Sequence, residues 1–98
     1  MTKTEKKAET EKKTKNHPMY RVLIHNDDVT DGMFVITVLL EVFKKEWGEA
    51  ERITNEAHRK GLALVAVMPL ELAELRVDQA HSKARAKKFP LKLTYEPE

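Results

Sequence analysis

Asn26-Asp27-Asp28-Val29-Thr30 joins two apolar runs of different period, and the fold follows from that junction. Before it, Tyr20, Val22, Leu23 and Ile24 belong to a β-branched and aromatic segment, Met19 to His25, that reads as a strand. After it, Phe34, Val35, Val38, Leu39, Val42 and Phe43 recur at helical spacing and predict a helix from about Asp31 to Glu46. Asn, Asp and Thr are turn and cap residues. The five residues therefore hand a strand over to a helix, with Thr30 as the cap and Asp31 in the first turn, where negative charge suits the helix dipole. The same residues crowd a carboxamide, two carboxylates and a hydroxyl beside buried elements. A small acidic notch that holds a cationic group is the second reading of the stretch.

Outward from this junction, Trp47-Gly48 breaks the helical pattern and a second helix is expected over 49–60, with Ala50, Ile53 and Ala57 inward. Gly61 is suited to end it. Leu62 to Met68 is nearly all apolar, as expected for a central strand. Pro69 opens a third helix, which runs to about Lys87 with Leu72, Ala73, Val77, Ala80 and Ala84 inward. Lys83, Arg85, Lys87 and Lys88 complement its carbonyl end. Phe89 to Tyr95 reads as a third strand, with residues 96–98 fraying. The order β-α-α-β-α-β predicts an α+β domain in which three helices pack on a three-stranded antiparallel sheet. Residues 1–17 hold no Val, Leu, Ile or aromatic side chain, so they are expected to form a flexible arm closed by His17-Pro18, leaving 18–98 as the folded domain.

Bulk composition excludes several classes. At 98 residues, 41% hydrophobic and 35% charged, the chain reads as one small globular domain without room for a large catalytic cavity. It has no cysteine, hence no disulfide, thiolate metal site or cysteine nucleophile. No apolar run approaches the roughly 20 residues that span a bilayer, and no apolar core follows the basic amino terminus, so a cytoplasmic protein without membrane contact is expected. The arm carries six Lys and three Glu, leaving the remainder near neutral, which argues against a nucleic-acid surface. His17, His25, His58 and His81 show no metal-ligand spacing, and no phosphate loop, zinc-protease pair or serine–histidine arrangement is present. Neither metal nor cofactor is expected, nor is enzymatic activity. His58, one turn before Gly61, either complements the dipole of the second helix or joins Asn26 and Asp27 in space.

Six marks in order make the chain resemble the ClpS family, adaptors that deliver N-degron substrates to the ClpA or ClpC unfoldase of the Clp protease. They are Tyr20-Arg21-Val22-Leu23; Asn26-Asp27-Asp28 with Thr30; Phe34-Val35; Ala57-His58 with Gly61; Ala73-Glu74 with Arg76-Val77; and Pro90-Leu91 with Thr94, Glu96 and Pro97. The resemblance covers Met19 to Glu98. It implies that Asn26, Asp27 and His58 accept the three protons of a free α-ammonium, while the first side chain enters a pocket walled by Ile24, Thr30, Gly32, Val35, Thr54 and Ala57. It further implies that Glu71 and Arg76 on the third helix dock on the unfoldase's N-terminal domain, and that the amino-terminal extension serves delivery.

Two positions depart from the family pattern. Gly32 stands where a gating methionine is usual, and Thr54 replaces a methionine or another apolar residue. Met33, beside Gly32, is the residue that could swing in to serve as the gate. The expected first residues are Phe, Tyr, Trp and Leu, with Ile and Val admitted by the missing bulk. A monomer is expected. Two other readings compete: a ribosome- or RNA-associated α+β module using the basic helix end and the arm, and a hydrolase on Asp27 and His58, which lacks a nucleophile and oxyanion donors.

Overall fold

In the computed structural model of the chain, the described residues are 18–98; the arm, and with it the expectation of its flexibility and its part in delivery, lies outside them. Six elements follow in the expected order: β1 (Met19–His25), α1 (Gly32–Glu41), α2 (Trp47–Lys60), β2 (Leu62–Pro69), α3 (Leu70–Ala86) and β3 (Lys92–Pro97). The strands form one antiparallel sheet in the order β2-β1-β3, and the three helices pack on it.

β1 is the middle strand. Val22 and Ile24 point from it into the core, where they meet Val38 and Leu39 of α1, Ile53 of α2 and Ala73, Val77 and Ala80 of α3. The alanines of α3 let that helix lie close to the sheet. β2, expected at the centre because it is almost wholly apolar, is an edge strand. An extra residue, Val65, sits in β2 where the register shifts between Val22 and Leu23. Alternation along the strand keeps Ala63 and Val65 both buried while Leu62 and Leu64 are 41% and 40% exposed on the outer face. Apolarity there reflects two partly covered faces rather than a central place. Leu72, expected inward on α3, is likewise exposed.

The ends of the elements differ from the pattern for local reasons. α1 stops at Glu41, because Lys44 takes a left-handed backbone with φ 57° and turns the chain. Val42 and Phe43 still pack inward from the turn, which is why the apolar stripe overshoots the helix. Asp31, not Thr30, caps α1: its carboxylate accepts the Met33 N–H at 3.4 Å. Trp47 and Gly48 begin α2 rather than separating two helices. Lys88, with φ 61°, ends the turn after α3, and the Phe89 N–H returns to the Ala84 carbonyl at 2.9 Å. Phe89 thereby lies against Phe34, ring centroids 5.1 Å apart, and β3 starts three residues later than expected. Its far end does not fray: Glu96 and Pro97 pair with Arg21 and Tyr20, and the Glu98 N–H reaches the Met19 carbonyl.

Candidate functional site

A backbone hydrogen bond holds the loop after β1 against the end of α2. The Asn26 N–H donates to the Gly61 carbonyl at 2.9 Å, while the Gly61 N–H closes α2 on the Ala57 carbonyl at 2.8 Å. Gly61 has φ 91°, a conformation that glycine adopts without the cost of a Cβ. This latch carries Asn26 and Asp27 to the helix end that bears His58.

Asp27 then organises its own turn. Its Oδ1 accepts the N–H groups of Val29 at 2.8 Å and Thr30 at 2.6 Å, and its Oδ2 accepts the Thr30 hydroxyl at 2.8 Å. Burial by itself would raise the Asp27 pKa, but the hydrogen bonds from Thr30 and Val29 outweigh it and hold the carboxyl below its ordinary value. The group is therefore ionised at neutral pH, and with three donors on about four acceptor positions Oδ2 has one to offer. Thr30, expected to cap the helix, spends its hydroxyl on this carboxylate instead.

A cavity of about 390 Å³ opens at this point. Its polar end holds Asn26, Asp27 and His58 together, and its wall includes Ile24, Thr30, Gly32, Val35, Thr54 and Ala57. One expected wall residue is elsewhere. Met33 is 54% exposed and lines a separate hollow with Phe34, Lys83 and Phe89, on the other side of the turn that Gly32 presents to the cavity. Successive side chains on a helix point about 100° apart, and here Gly32 and Met33 line different hollows. Four further residues line the cavity that were not foreseen: His25, Asp28, Asn55 and Leu91. Asn55 was within reach of the sequence, being three residues before His58 and so on its face of α2. Leu91 was not, because only the delayed start of β3 brings it beneath the pocket. His25 is tied through Nε2 to the Thr94 hydroxyl at 2.7 Å.

An apolar recess with carboxylate, carboxamide and imidazole at one end fits a ligand with a cationic head and a greasy side chain. The protein family described as "ATP-dependent Clp protease adaptor protein ClpS" matches residues 15–94. The chain belongs to the ClpS family. Among the relatives of this ClpS chain, the adapter protein ClpS of Desulfatibacillum aliphaticivorans is 43% identical over 91 residues, 93% of this chain and 88% of that protein. The adapter protein ClpS 2 of Mesorhizobium japonicum is 38% identical over 95 residues, 97% of this chain and 94% of that protein. Among solved structures, Agrobacterium tumefaciens ClpS2 bound to L-phenylalaninamide superposes with a TM-score of 0.80 at 37% identity, covering 83% of this chain and 98% of that one.

Glu71 and Arg76, the two expected docking positions of the ClpS chain, are both on α3 but are not brought together. Five residues apart on a helix, they are turned about 140° from one another. Glu71 borders a hollow with Pro18, Tyr20 and Leu70, whereas Arg76 borders another with Glu41 and Gln79, to whose side chain it donates at 3.1 Å. Leu72 and Leu75 stand exposed between them. Of the basic cluster at the end of α3, Lys83 is paired with Glu41 at 3.1 Å. Among the described residues no helix is long and apolar enough to cross a membrane, and no group of acidic, His or Cys side chains is placed to hold a metal ion.

Proposed function

We propose that the cavity captures the free amino terminus of a polypeptide whose first residue is bulky and apolar, and that the chain presents this N-degron to a Clp unfoldase, ClpA or ClpC, without chemistry of its own. The observation that carries the reading is the meeting, in one cavity, of Asn26, Asp27 and His58 with the apolar wall of Ile24, Val35, Ala57 and Leu91. An α-amino group titrates near 8 and at neutral pH is an ammonium with three donors and no acceptor. A carboxamide oxygen, a carboxylate with one open position and a neutral imidazole nitrogen supply three acceptors from three directions. An internal peptide N–H offers one donor and no charge, so the site reads chain ends. L-phenylalaninamide, the ligand of the Agrobacterium relative, has this chemistry: a free α-amine beside an aromatic side chain.

Docking on the unfoldase's N-terminal domain falls to α3 in this reading. Exposed Leu72 and Leu75 supply apolar contact between Glu71 and Arg76. The reading needs neither cofactor nor metal. It also accounts for the acidic Asp27-Asp28 pair, which an RNA-binding module would leave unexplained and which would repel phosphate.

Fluorescence anisotropy with labelled peptides that begin with Phe, free or N-acetylated, tests the capture. Acetylation removes the charge and two donors, and losing one partner of a desolvated charged contact costs about 2–5 kcal/mol, at least roughly 30-fold in affinity. Asp27 retains its three internal donors when the amine is absent, which places the expected loss toward the lower end. Equal affinity for the free and acetylated peptides would refute the proposal.

A further inference from the structure

Thr54 is the one polar residue of the cavity wall on the buried side of α2, and its hydroxyl is already committed. The Thr54 Oγ1–H donates to the Ala50 carbonyl one turn earlier at 2.8 Å. Thr30, the other hydroxyl of the wall, has likewise given its proton to Asp27. With their protons bound internally, both oxygens retain lone pairs only, so the wall can accept a hydrogen bond but has no hydroxyl proton to donate. Their positions differ. Thr30 lies at the polar end beside Asp27, whereas Thr54 is four residues before His58 on the same face of α2, with their Cβ atoms about 5–6 Å apart. Thr54, Ile24 and Ala57 line the same cavity as His58, so the side chain of a residue whose amino group is held at His58 has Thr54 among its neighbours.

We infer that Thr54 is a specificity-determining residue that selects, among bulky first residues, those with a hydrogen-bond donor on the ring: the indole N–H of Trp and the phenol O–H of Tyr. The inference rests on the reading of the cavity given above and deepens it by naming the favoured substrates. A phenyl or aliphatic side chain leaves the Thr54 oxygen facing carbon. An indole N–H or a phenol O–H finds there the partner it loses on leaving water. One neutral hydrogen bond contributes about 0.5–1.5 kcal/mol net, or roughly 2- to 12-fold in affinity.

The test compares peptides that differ only in a first residue of Trp, Tyr or Phe against the wild-type protein, Thr54→Val and Thr54→Ser. Val keeps the shape of Thr and removes the acceptor. The expected result is that Thr54→Val lowers the Trp-to-Phe and Tyr-to-Phe affinity ratios by about 2- to 12-fold. Thr54→Ser retains both ratios. Ratios that are the same in wild type and Thr54→Val overturn the inference alone, as does a Thr54→Ser protein that behaves like Thr54→Val. A wild-type protein that binds none of the three peptides overturns the reading of the cavity, and the inference with it.

Discussion

Replacing His81 tests how the edge of the sheet is held, because this side chain occupies a place normally filled by a strand. β3 is an outer strand, and its Leu93, paired with Ile24 of β1, sends its N–H to His81 Nε2 on α3 at 3.0 Å. Leu93 is 2% exposed, so that N–H has no ready access to water. Only a neutral imidazole can accept it. Burial pushes the His81 pKa down, Arg85 pushes it further, and Asp78 partly opposes them. The sign follows directly. With a pKa lower in the folded than in the unfolded chain, the contribution is fully present above the ordinary histidine value of about 6.5 and is lost as pH falls below it through the folded value. The magnitude is that of a buried donor left without a partner, about 1–3 kcal/mol. Urea unfolding near pH 7.5 and near pH 5 reads it out. His81→Phe should lose about 1–3 kcal/mol at the higher pH. His81→Gln should lose less, because its carboxamide oxygen can accept the bond and does not titrate. Both should show a shallower fall toward the lower pH than the wild type. The difference between the proteins, rather than the pH dependence of any one of them, carries the test. If wild type and His81→Gln lose stability in parallel, the pH dependence lies elsewhere and the reasoning fails.

Two further predictions concern the cavity. Thr30→Val removes the 2.8 Å hydroxyl bond that helps hold the Asp27 carboxyl below its ordinary value. The Asp27 pKa should therefore rise, and peptide binding, full above that pKa and lost below it, should fail at higher pH than in the wild type; an NMR titration of the Asp27 carboxyl carbon that shows no upward movement would refute this. A Cβ built on Gly32 meets nothing within 4 Å, so Gly32→Met should be tolerated and should narrow the cavity. Peptides beginning with Ile or Val should then weaken relative to Leu by up to about tenfold, whereas Met33→Ala, altering a different hollow, should leave that ratio unchanged; a Met33→Ala protein with an altered Ile-to-Leu ratio would show that this side chain reaches the cavity after all.

The elements of this fold were legible where periodicity and punctuation agreed. The β1 boundaries, the glycine end of α2 and the inward positions Ala73, Val77, Ala80 and Ala84 could all be read from spacing. What failed were places where tertiary packing overrides a local pattern. Val42 and Phe43 continue a helical stripe but pack from a turn, since burial rewards position and not helix. β2 reads as central because both its faces are apolar, and apolarity carries no information about which edges are paired. The candidate site divides in the same way. Asn26 and Asp27 stand out as a crowded polar turn. That His58 lines the same cavity could be anticipated only through the family resemblance, for the loop and the helix end are joined by the bond between Asn26 and Gly61, two backbone groups without a side-chain signature. Leu91 joins the wall through the turn at Lys88, whose left-handed conformation no residue type announces there.

The two readings of the opening five residues, a turn and an acidic notch, are one arrangement. A carboxylate sunk near a hydrophobic pocket would ordinarily take up a proton, and a neutral acid would lose its hold on an ammonium. The donors that build the turn prevent this: Val29 N–H, Thr30 N–H and the Thr30 hydroxyl keep Asp27 charged before any ligand arrives. They also fix its orientation, so little of the binding free energy goes into ordering the side chain. Because they occupy three acceptor positions and not four, Asp27, which lines the cavity with Asn26 and His58, keeps one position open. The local structure that makes Asn26–Thr30 a good connection between strand and helix is thus, in the function proposed above, the same structure that would receive a positive chain end.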